Sequence, residues 1–182
     1  MRRNIVTMIA AMLFTVSTAN AAVYKFTFDS FDSELTAAGQ FTVNAGGQVT
    51  NVSGAISGLA NQTMSAVVPN PNFSSPAYSP DGSFLYDNQY HASGMPFDVD
   101  GLLFVTAQNP GGYWNLWGNS PGTYSLWESA GSYNYPIQES GNLNVTAAPE
   151  LSTWAMLALG FAGFGVVGRG RRRAPRLAPS LD

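Results

Sequence analysis

The sequence predicts a mostly β protein, an antiparallel β-sandwich or jelly-roll-like domain that occupies residues 22–147. Three observations predict it: charged residues make up only 10% of the chain, apolar and polar residues alternate in short runs, and turn-forming residues separate those runs. Strong helix formers such as Glu and Lys are scarce between the two ends of the chain. Alternation with a period of two is typical of strands with one buried face.

Nine short runs have the pattern of strands. The first, 23–28, places Tyr24, Phe26 and Phe28 on one face. The others are 39–44, 48–57, 63–68, 83–88, 102–107, 113–117, 123–128 and 141–146. Segments rich in Gly, Pro, Asn and Asp separate them, because these residues fit tight turns. Segment 69–80 contains four prolines and predicts a long exposed loop, since proline cannot donate a hydrogen bond within a central strand.

Charge and cysteine content exclude several classes of function. Between residues 22 and 148 the chain has nine acidic side chains and Lys25 as its only Lys or Arg, which gives a formal charge of −8. A body with that charge repels phosphate backbones, so we expect no nucleic-acid partner. The chain has no Cys, which excludes disulfides, thiolate nucleophiles and Cys-ligated zinc.

The N-terminus has the three parts of a secretory signal peptide, 1–21. Arg2 and Arg3 form a positive start, and residues 5–16 are apolar. Ala19 and Ala21 supply the small-x-small pattern at which signal peptidase cleaves. We therefore expect an N-terminal signal helix, cleavage after Ala21 by signal peptidase, and export across the bacterial inner membrane.

The C-terminal segment predicts one transmembrane helix. Residues 151–168 form an uncharged run of eighteen residues, just long enough to cross a bilayer. An arginine cluster follows directly, and arginines beside a span stay on the cytoplasmic side. Its members are Arg169, Arg171, Arg172 and Arg173. We expect a precursor held in the inner membrane by this single-pass helix with its domain outside, and a mature form at the cell surface or in the extracellular matrix.

Segment 148–174 resembles a PEP-CTERM sorting signal. The features that carry the resemblance are Pro149-Glu150-Leu151, the apolar run and the arginine cluster. In that family a Pro-Glu-Pro signature, a transmembrane helix and a basic tail close the precursor, and an exosortase processes it. Leu151 stands where the family has its second proline. The resemblance implies an exosortase-type processing enzyme as a partner, with 175–182 left as a short tail.

The body is also similar to a group of exported bacterial proteins that carry this sorting tail and have no established activity. The matching segments are 24–28, 49–58, 85–88, 101–104, 114–118 and 124–129. This resemblance implies one domain followed by one sorting signal, and it brings no catalytic residues with it.

Enzyme chemistry has little support in the sequence. His91 is the only histidine, and no Gly-x-Ser-x-Gly elbow accompanies it, so neither a Ser-His-Asp arrangement nor His-ligated zinc is expected. Nine acids in the body make some carboxylate pair inevitable, which leaves a glycoside-acting enzyme only as a minor alternative. We expect a non-catalytic domain.

We expect no cofactor, with calcium as the alternative. Asp98 and Asp100, in the run Asp-Val-Asp-Gly, resemble the start of a loop with oxygen ligands. Asp81, Asp87 and Asn88 could join them. The sequence Leu-Leu-Phe that follows interrupts the EF-hand pattern, and an ordinary turn is the competing interpretation.

An aromatic cluster is the most suggestive feature of the body, with seven Trp and Tyr residues within positions 113–135. In an extended strand Tyr113 and Trp117 share one face while Trp114 points to the other. Rings of Trp114, Trp117 and Trp127 beside Asn and Ser could stack on the sugars of an exopolysaccharide. Alternatively, all the rings fill the core. We expect an exported structural domain. A glycan-binding module is the first alternative, and calcium-dependent binding is the second.

Overall fold

The computed structural model of the chain describes residues 21–72, 75–129 and 137–148. The chain divides into two compact units, 1–148 and 149–182, and the described strands all belong to the first. These strands are β1 (Ala22–Ser30), β2 (Leu35–Val43), β3 (Val49–Gly58), β4 (Gln62–Val67), β5 (Ala77–Tyr78), β6 (Leu85–Tyr86), β7 (Leu102–Thr106), β8 (Tyr113–Ser120), β9 (Thr123–Glu128) and β10 (Gln138–Ala147).

Eight strands form a closed antiparallel barrel in the order β1-β10-β9-β8-β7-β4-β3-β2. The chain runs up and down around the barrel, and the short hairpin β5–β6 is inserted between β4 and β7. Pairing of the first and last strands, from Tyr24 opposite Ala147 to Ser30 opposite Gly141, closes the sheet. Closure leaves no barrel strand with an unpaired edge.

The prediction of a sandwich or jelly roll is therefore wrong. A sandwich has two open sheets with strands that cross between them, whereas here each barrel strand pairs with its sequence neighbours and β1 pairs with β10. The physical reason for the error is that inward and outward side chains alternate in the same way in a barrel strand and in a sandwich strand. Periodicity predicts strands but not closure.

The predicted helices are not supported either. The described part of the chain contains strands and no helix, because its apolar residues alternate with polar ones instead of forming continuous runs. The predicted transmembrane helix 151–168 lies outside the described residues, and so does the predicted signal helix apart from Ala21. Within those residues no helix is long and apolar enough to span a membrane. The single-pass anchor is thus unsupported, and we withdraw the location inferred from it.

Several strand boundaries and one loop differ from the predictions. Strand β2 begins at Leu35 and β10 at Gln138, each a few residues before its predicted start. Strand β5 falls inside segment 69–80, which was predicted to be an exposed loop. Ala77 and Ser79 are buried there, because β5 pairs with β6.

Alternation along the strands fills the barrel with side chains. Phe26 and Phe28 are buried in the core and Tyr24 packs against it, which confirms the predicted inner face of β1. An eight-stranded barrel is just wide enough for such side chains to fill it. The other large apolar side chains of this core are Leu35, Phe41, Val43, Val49, Val52, Ile56, Met64, Phe97, Leu102, Phe104, Trp114, Leu116, Tyr124, Leu126 and Ile137.

Aromatic rings pack at the barrel end where β2 ends and β3 begins. Tyr90 and Phe97 come from the segment between β6 and β7, and their centroids lie 5.3 and 5.4 Å from that of Phe41. Burial raises the pKa of the Tyr90 hydroxyl to about 12. These rings extend the apolar core over this end of the barrel.

Buried polar side chains occupy the opposite end, where β4 begins and β9 ends. Gln62 Nε2 and Asn109 Nδ2 each donate to Glu128 Oε1 at 3.1 Å. Thr106 Oγ1 donates to Gln62 Oε1, and Trp114 Nε1 donates to the same oxygen at 3.2 Å. The second carboxylate oxygen, Glu128 Oε2, is buried without a hydrogen-bond partner among the described residues.

Candidate binding groove

The three tryptophans predicted to contact a glycan lie on different faces of β8 and β9. Trp114 points into the barrel and is completely buried. Trp117 and Trp127 point outward and are half-buried. The prediction is therefore wrong for Trp114, because strand alternation places its ring in the core, where no ligand can stack on it. The structure brings Trp117 and Trp127 together.

The two outward tryptophans form an aromatic groove. Their ring centroids are 4.9 Å apart with an interplanar angle of 74°, an edge-to-face contact. The ring of Phe84 lies 6.1 Å from that of Trp117. The groove has a volume of about 230 Å³. Its lining residues are Ser83, Phe84, Leu85, Val99, Asn115, Trp117 and Trp127.

Hydrogen bonds hold the Trp117 indole in place. Trp117 Nε1 donates to Asn119 Oδ1 at 3.1 Å, and Asn119 Nδ2 donates to Ser125 Oγ at 2.8 Å. Because the polar edge of this indole is already bonded within the protein, its apolar ring surface is what remains for a ligand.

Asn115 connects the floor of the aromatic groove to its walls. The residue is only 2% exposed, and its Nδ2 donates to the carbonyl oxygens of Leu85 at 3.2 Å and Asp100 at 3.0 Å. Its Oδ1 is buried without a hydrogen-bond partner in the part of the chain that the structure describes. An unpaired buried acceptor costs about 1–3 kcal/mol, which offsets part of the stabilisation from the two bonds that Nδ2 makes.

The wall that contains Val99 docks tightly on β8. Gly118 N donates to Asp98 O at 2.8 Å. Gly101 has a φ of +75°, and a Cβ there would lie 2.6 Å from Cβ of Trp117. Glycine is therefore required at this position by both its backbone conformation and the close approach to Trp117.

The inserted hairpin forms the other wall and packs on the outside of the barrel. Tyr86 is buried against Leu103, and its hydroxyl donates to Pro69 O at 2.8 Å. Tyr78 and Leu85 are cross-strand neighbours and remain 73% and 41% exposed. They extend the apolar surface beyond the rim of the aromatic groove.

Three carboxylates converge near the Val99 wall, and we call them the acidic triad. Oxygens of Asp87, Asp98 and Asp100 all lie within 4.8 Å of one another. Burial raises the pKa of the Asp87 carboxyl, and repulsion from Asp98 and Asp100 raises it further. Burial and then repulsion from Asp98 also raise the pKa of Asp100. His91 Nε2 lies 3.7 Å from Asp98 Oδ2.

The acidic triad includes both residues predicted for calcium. Carboxylate oxygens are ligands that calcium prefers, although three residues fall short of the six to eight oxygens it takes. Asn88 does not join them, because its amide donates to Val68 O and accepts from Leu103 N. Asp81 accepts hydrogen bonds from Ser79 and Ser83 in its own turn. Calcium binding stays a prediction, as does the expectation of a non-catalytic domain.

A second cavity, of about 220 Å³, is less suited to a ligand. It is lined by residues that include Val49, Val67, Asn70 and Asn88. Asn70 Nδ2 donates to the carbonyl oxygens of Ser75 and Asp87, and the Asn88 amide is bonded as described above. These amides hold the chain between β4 and β7 in place, so the aromatic groove is the better candidate.

Sequence reasoning missed Phe84, Val99 and Asn115 as groove residues. Asn115 could have been found, because strand alternation puts it on the same face as Trp117. Phe84 and Val99 reach the groove only through the insertion between β4 and β7. The predicted processing and topology residues Ala19, Pro149, Glu150, Leu151, Arg169, Arg171, Arg172 and Arg173 lie outside the described residues.

Comparisons with protein-family models, curated proteins and solved structures give no match for this chain. The resemblance of its C-terminal segment to a PEP-CTERM signal therefore stays a prediction. The aromatic groove and the acidic triad beside it are the features from which a function can be argued.

Proposed function

We propose that the barrel is a non-catalytic glycan-binding domain that holds a sugar ring of a polysaccharide in the aromatic groove. The observation that carries this proposal is the edge-to-face contact of Trp117 and Trp127 in a groove that Phe84 and Ser83 also line. Sugar rings present C–H groups on their faces and hydroxyls at their edges. Aromatic rings pack on the C–H faces, and the hydroxyls at the edges can bond water or polar groups at the rim.

The rigidity of the aromatic groove supports the proposal. The Trp117 indole is held by Asn119, and the Asn115 amide links the backbones of both walls. Side chains that are already ordered lose little conformational entropy when a ligand binds. Stacking by fixed rings can then give useful affinity even for a small contact area.

The size of the aromatic groove indicates a chain bound one ring at a time. Its volume of about 230 Å³ lies below the roughly 300–1,000 Å³ of pockets that enclose drug-sized ligands. Tyr78 and Leu85 continue the apolar surface past the rim. A longer glycan would therefore place one ring in the groove and further rings along the hairpin.

Binding of the full chain to a panel of soluble oligosaccharides, measured by calorimetry, tests the proposal. We expect Trp117→Ala and Trp127→Ala each to weaken binding about tenfold, or ~1.4 kcal/mol. The matched control is Phe31→Ala, which removes an aromatic side chain that is 60% exposed in the turn after β1. It should leave affinity unchanged.

Two results would contradict the glycan proposal. One is the absence of binding to every oligosaccharide in the panel. The other is equal affinity of Trp117→Ala and the unaltered chain for an oligosaccharide that binds. Self-association that Trp117→Ala abolishes would instead assign the aromatic groove to a protein contact.

Processing at both ends is a second proposed property. All eight barrel strands lie between Ala22 and Ala147, so cleavage after Ala21 by signal peptidase and near Pro149 by an exosortase would leave every strand pair intact. We expect the intact mass of the protein to fit these ends in a host that has the exosortase. A C-terminus unchanged by loss of the exosortase would contradict the sorting proposal.

A further inference from the structure

The aromatic groove lies in a negatively charged part of the surface. Val99, which lines it, stands between Asp98 and Asp100, and consecutive Cα atoms are about 3.8 Å apart. The carboxylates of these two residues converge with that of Asp87. Asn115, which lines the aromatic groove, also donates to the carbonyl oxygen of Asp100. Charge interactions at physiological ionic strength reach about 8 Å, the Debye length, so charged residues that adjoin the lining contribute to the potential in the groove.

Few positive groups offset the acidic triad. Lys25 is the only Lys or Arg in the described ranges 21–72, 75–129 and 137–148, and it lies on β1 between Gln40 and Thr146 of the neighbouring strands. His91 lies beside Asp98 and can add a charge only when it is protonated. Burial raises the pKa values of Asp87 and Asp100, and repulsion within the triad raises them further.

The indole rings of the aromatic groove also suit a cation. The faces of Trp117 and Trp127 attract cations within about 6 Å through their ring quadrupoles. The negative field and the indole rings thus favour the same ligand chemistry, a cation.

We infer that the aromatic groove selects glycans with free, protonated amino groups, such as polymers of unacetylated glucosamine, over neutral and acidic glycans. This inference rests on the proposed glycan-binding function. Selectivity comes from the negative field of the acidic triad and from the indole faces, both acting on one ammonium group. A uronate at the same position meets repulsion from Asp98 and Asp100.

Three oligosaccharides of equal length test this selectivity: glucosamine, N-acetylglucosamine and glucuronate oligomers. The full chain is titrated with each at pH 6 in the presence of a chelator, so that no divalent cation neutralises the triad. We expect the glucosamine oligomer to bind at least about tenfold more tightly than its acetylated counterpart. The preference should shrink as salt is raised, because screening weakens charge interactions.

Variants of the full chain distinguish the contribution of the triad's charge to affinity from that of stacking on the indole rings. Asp98→Asn together with Asp100→Asn keeps the Oδ1 atom that accepts from Asp100 N and removes two charges. This double variant should lose the preference for the amine while binding the acetylated oligomer unchanged. Trp117→Ala should weaken both, and Asp29→Asn, an exposed acid on β1, should alter neither.

The outcomes distinguish the two proposals. Equal or tighter binding of the acetylated oligomer, with loss in Trp117→Ala, would overturn amine selectivity and leave glycan binding standing. Binding of none of the three oligomers would overturn amine selectivity, whereas the glycan proposal falls only if no oligosaccharide of the wider panel binds either. An amine preference that survives in the double Asp variant would show that the triad is not its source.

Discussion

Strands β8 and β9 carry tryptophans on both faces, and the two faces differ in what surrounds the rings. Trp114 lies inside the barrel, where its Nε1 donates to the buried Gln62. Trp117, three residues later, lies outside and donates to the exposed Asn119. The inner ring is enclosed by the core, whereas the outer ring keeps an accessible surface. A cluster of aromatic residues in a sequence therefore needs to be divided by strand face before any of its members is assigned to binding.

The largest expected difference between the faces is in stability. Trp114→Ala should lower the free energy of unfolding by about 3–5 kcal/mol, because it removes buried contacts and leaves a cavity in the core. Trp117→Ala should cost about 1 kcal/mol or less, since its ring is only half-buried. Urea denaturation of both variants measures the difference. Equal losses would mean that the outer ring is as structural as the inner one.

A second difference concerns polar groups, and Glu128 on the inner face allows a direct test. Glu128→Ala should lower the free energy of unfolding by about 2–3 kcal/mol, because the amides of Gln62 and Asn109 lose a buried acceptor. Glu128→Gln keeps an Oε1 acceptor and removes a buried charge, so it should cost less. The same urea experiment compares the two variants.

If Glu128→Gln were as destabilising as Glu128→Ala, the carboxylate charge would matter more than the acceptor. That result would point to a positive group or an ordered water near Oε2, which has no hydrogen-bond partner among the residues that the structure describes. The polar end of the barrel would then be held by charge rather than by neutral hydrogen bonds.

Local parts of this architecture follow from the sequence, because alternation acts over a few residues. The inner face of β1 and the shared face of Tyr113 and Trp117 were predicted from a period of two. Closure was not predicted, because pairing of β1 with β10 joins residues more than a hundred positions apart. No local pattern encodes such a contact.

The aromatic groove was predictable only in part, for the same reason. Trp117 and Trp127 were identified as aromatic candidates, but their partner Phe84 comes from an inserted hairpin whose docking depends on Tyr86 and Leu103. Spacing in the sequence suggested Asp98 and Asp100 as a pair. Their convergence with Asp87 required the fold of the segment between β6 and β7.

The smallest expected effect on stability concerns the acidic triad, in which three carboxylates lie close together outside the barrel core. Burial and then repulsion raise the pKa of Asp87 in the folded state, so the fold favours its protonated form more than the unfolded chain does. Stability from this group is present below the unfolded pKa of about 4 and is lost as pH rises through the folded pKa. Asp87→Asn, which keeps the acceptor for Gln89 N, should raise the melting temperature at pH 7 and leave it unchanged near pH 3.

Asp81 is the matched control, because its pKa shifts in the opposite direction. Burial alone would raise that pKa, but hydrogen bonds from Ser129, Ser79 and Ser83 lower it below its ordinary value. Asp81→Asn should therefore lower the melting temperature at pH 7, with the difference fading as pH falls through the folded pKa. If both variants changed stability in the same direction at pH 7, neither burial nor repulsion of the Asp87 carboxylate would be the reason for its effect. The charge repulsion on which the proposed amine recognition depends would then have no measurable effect on the melting temperature.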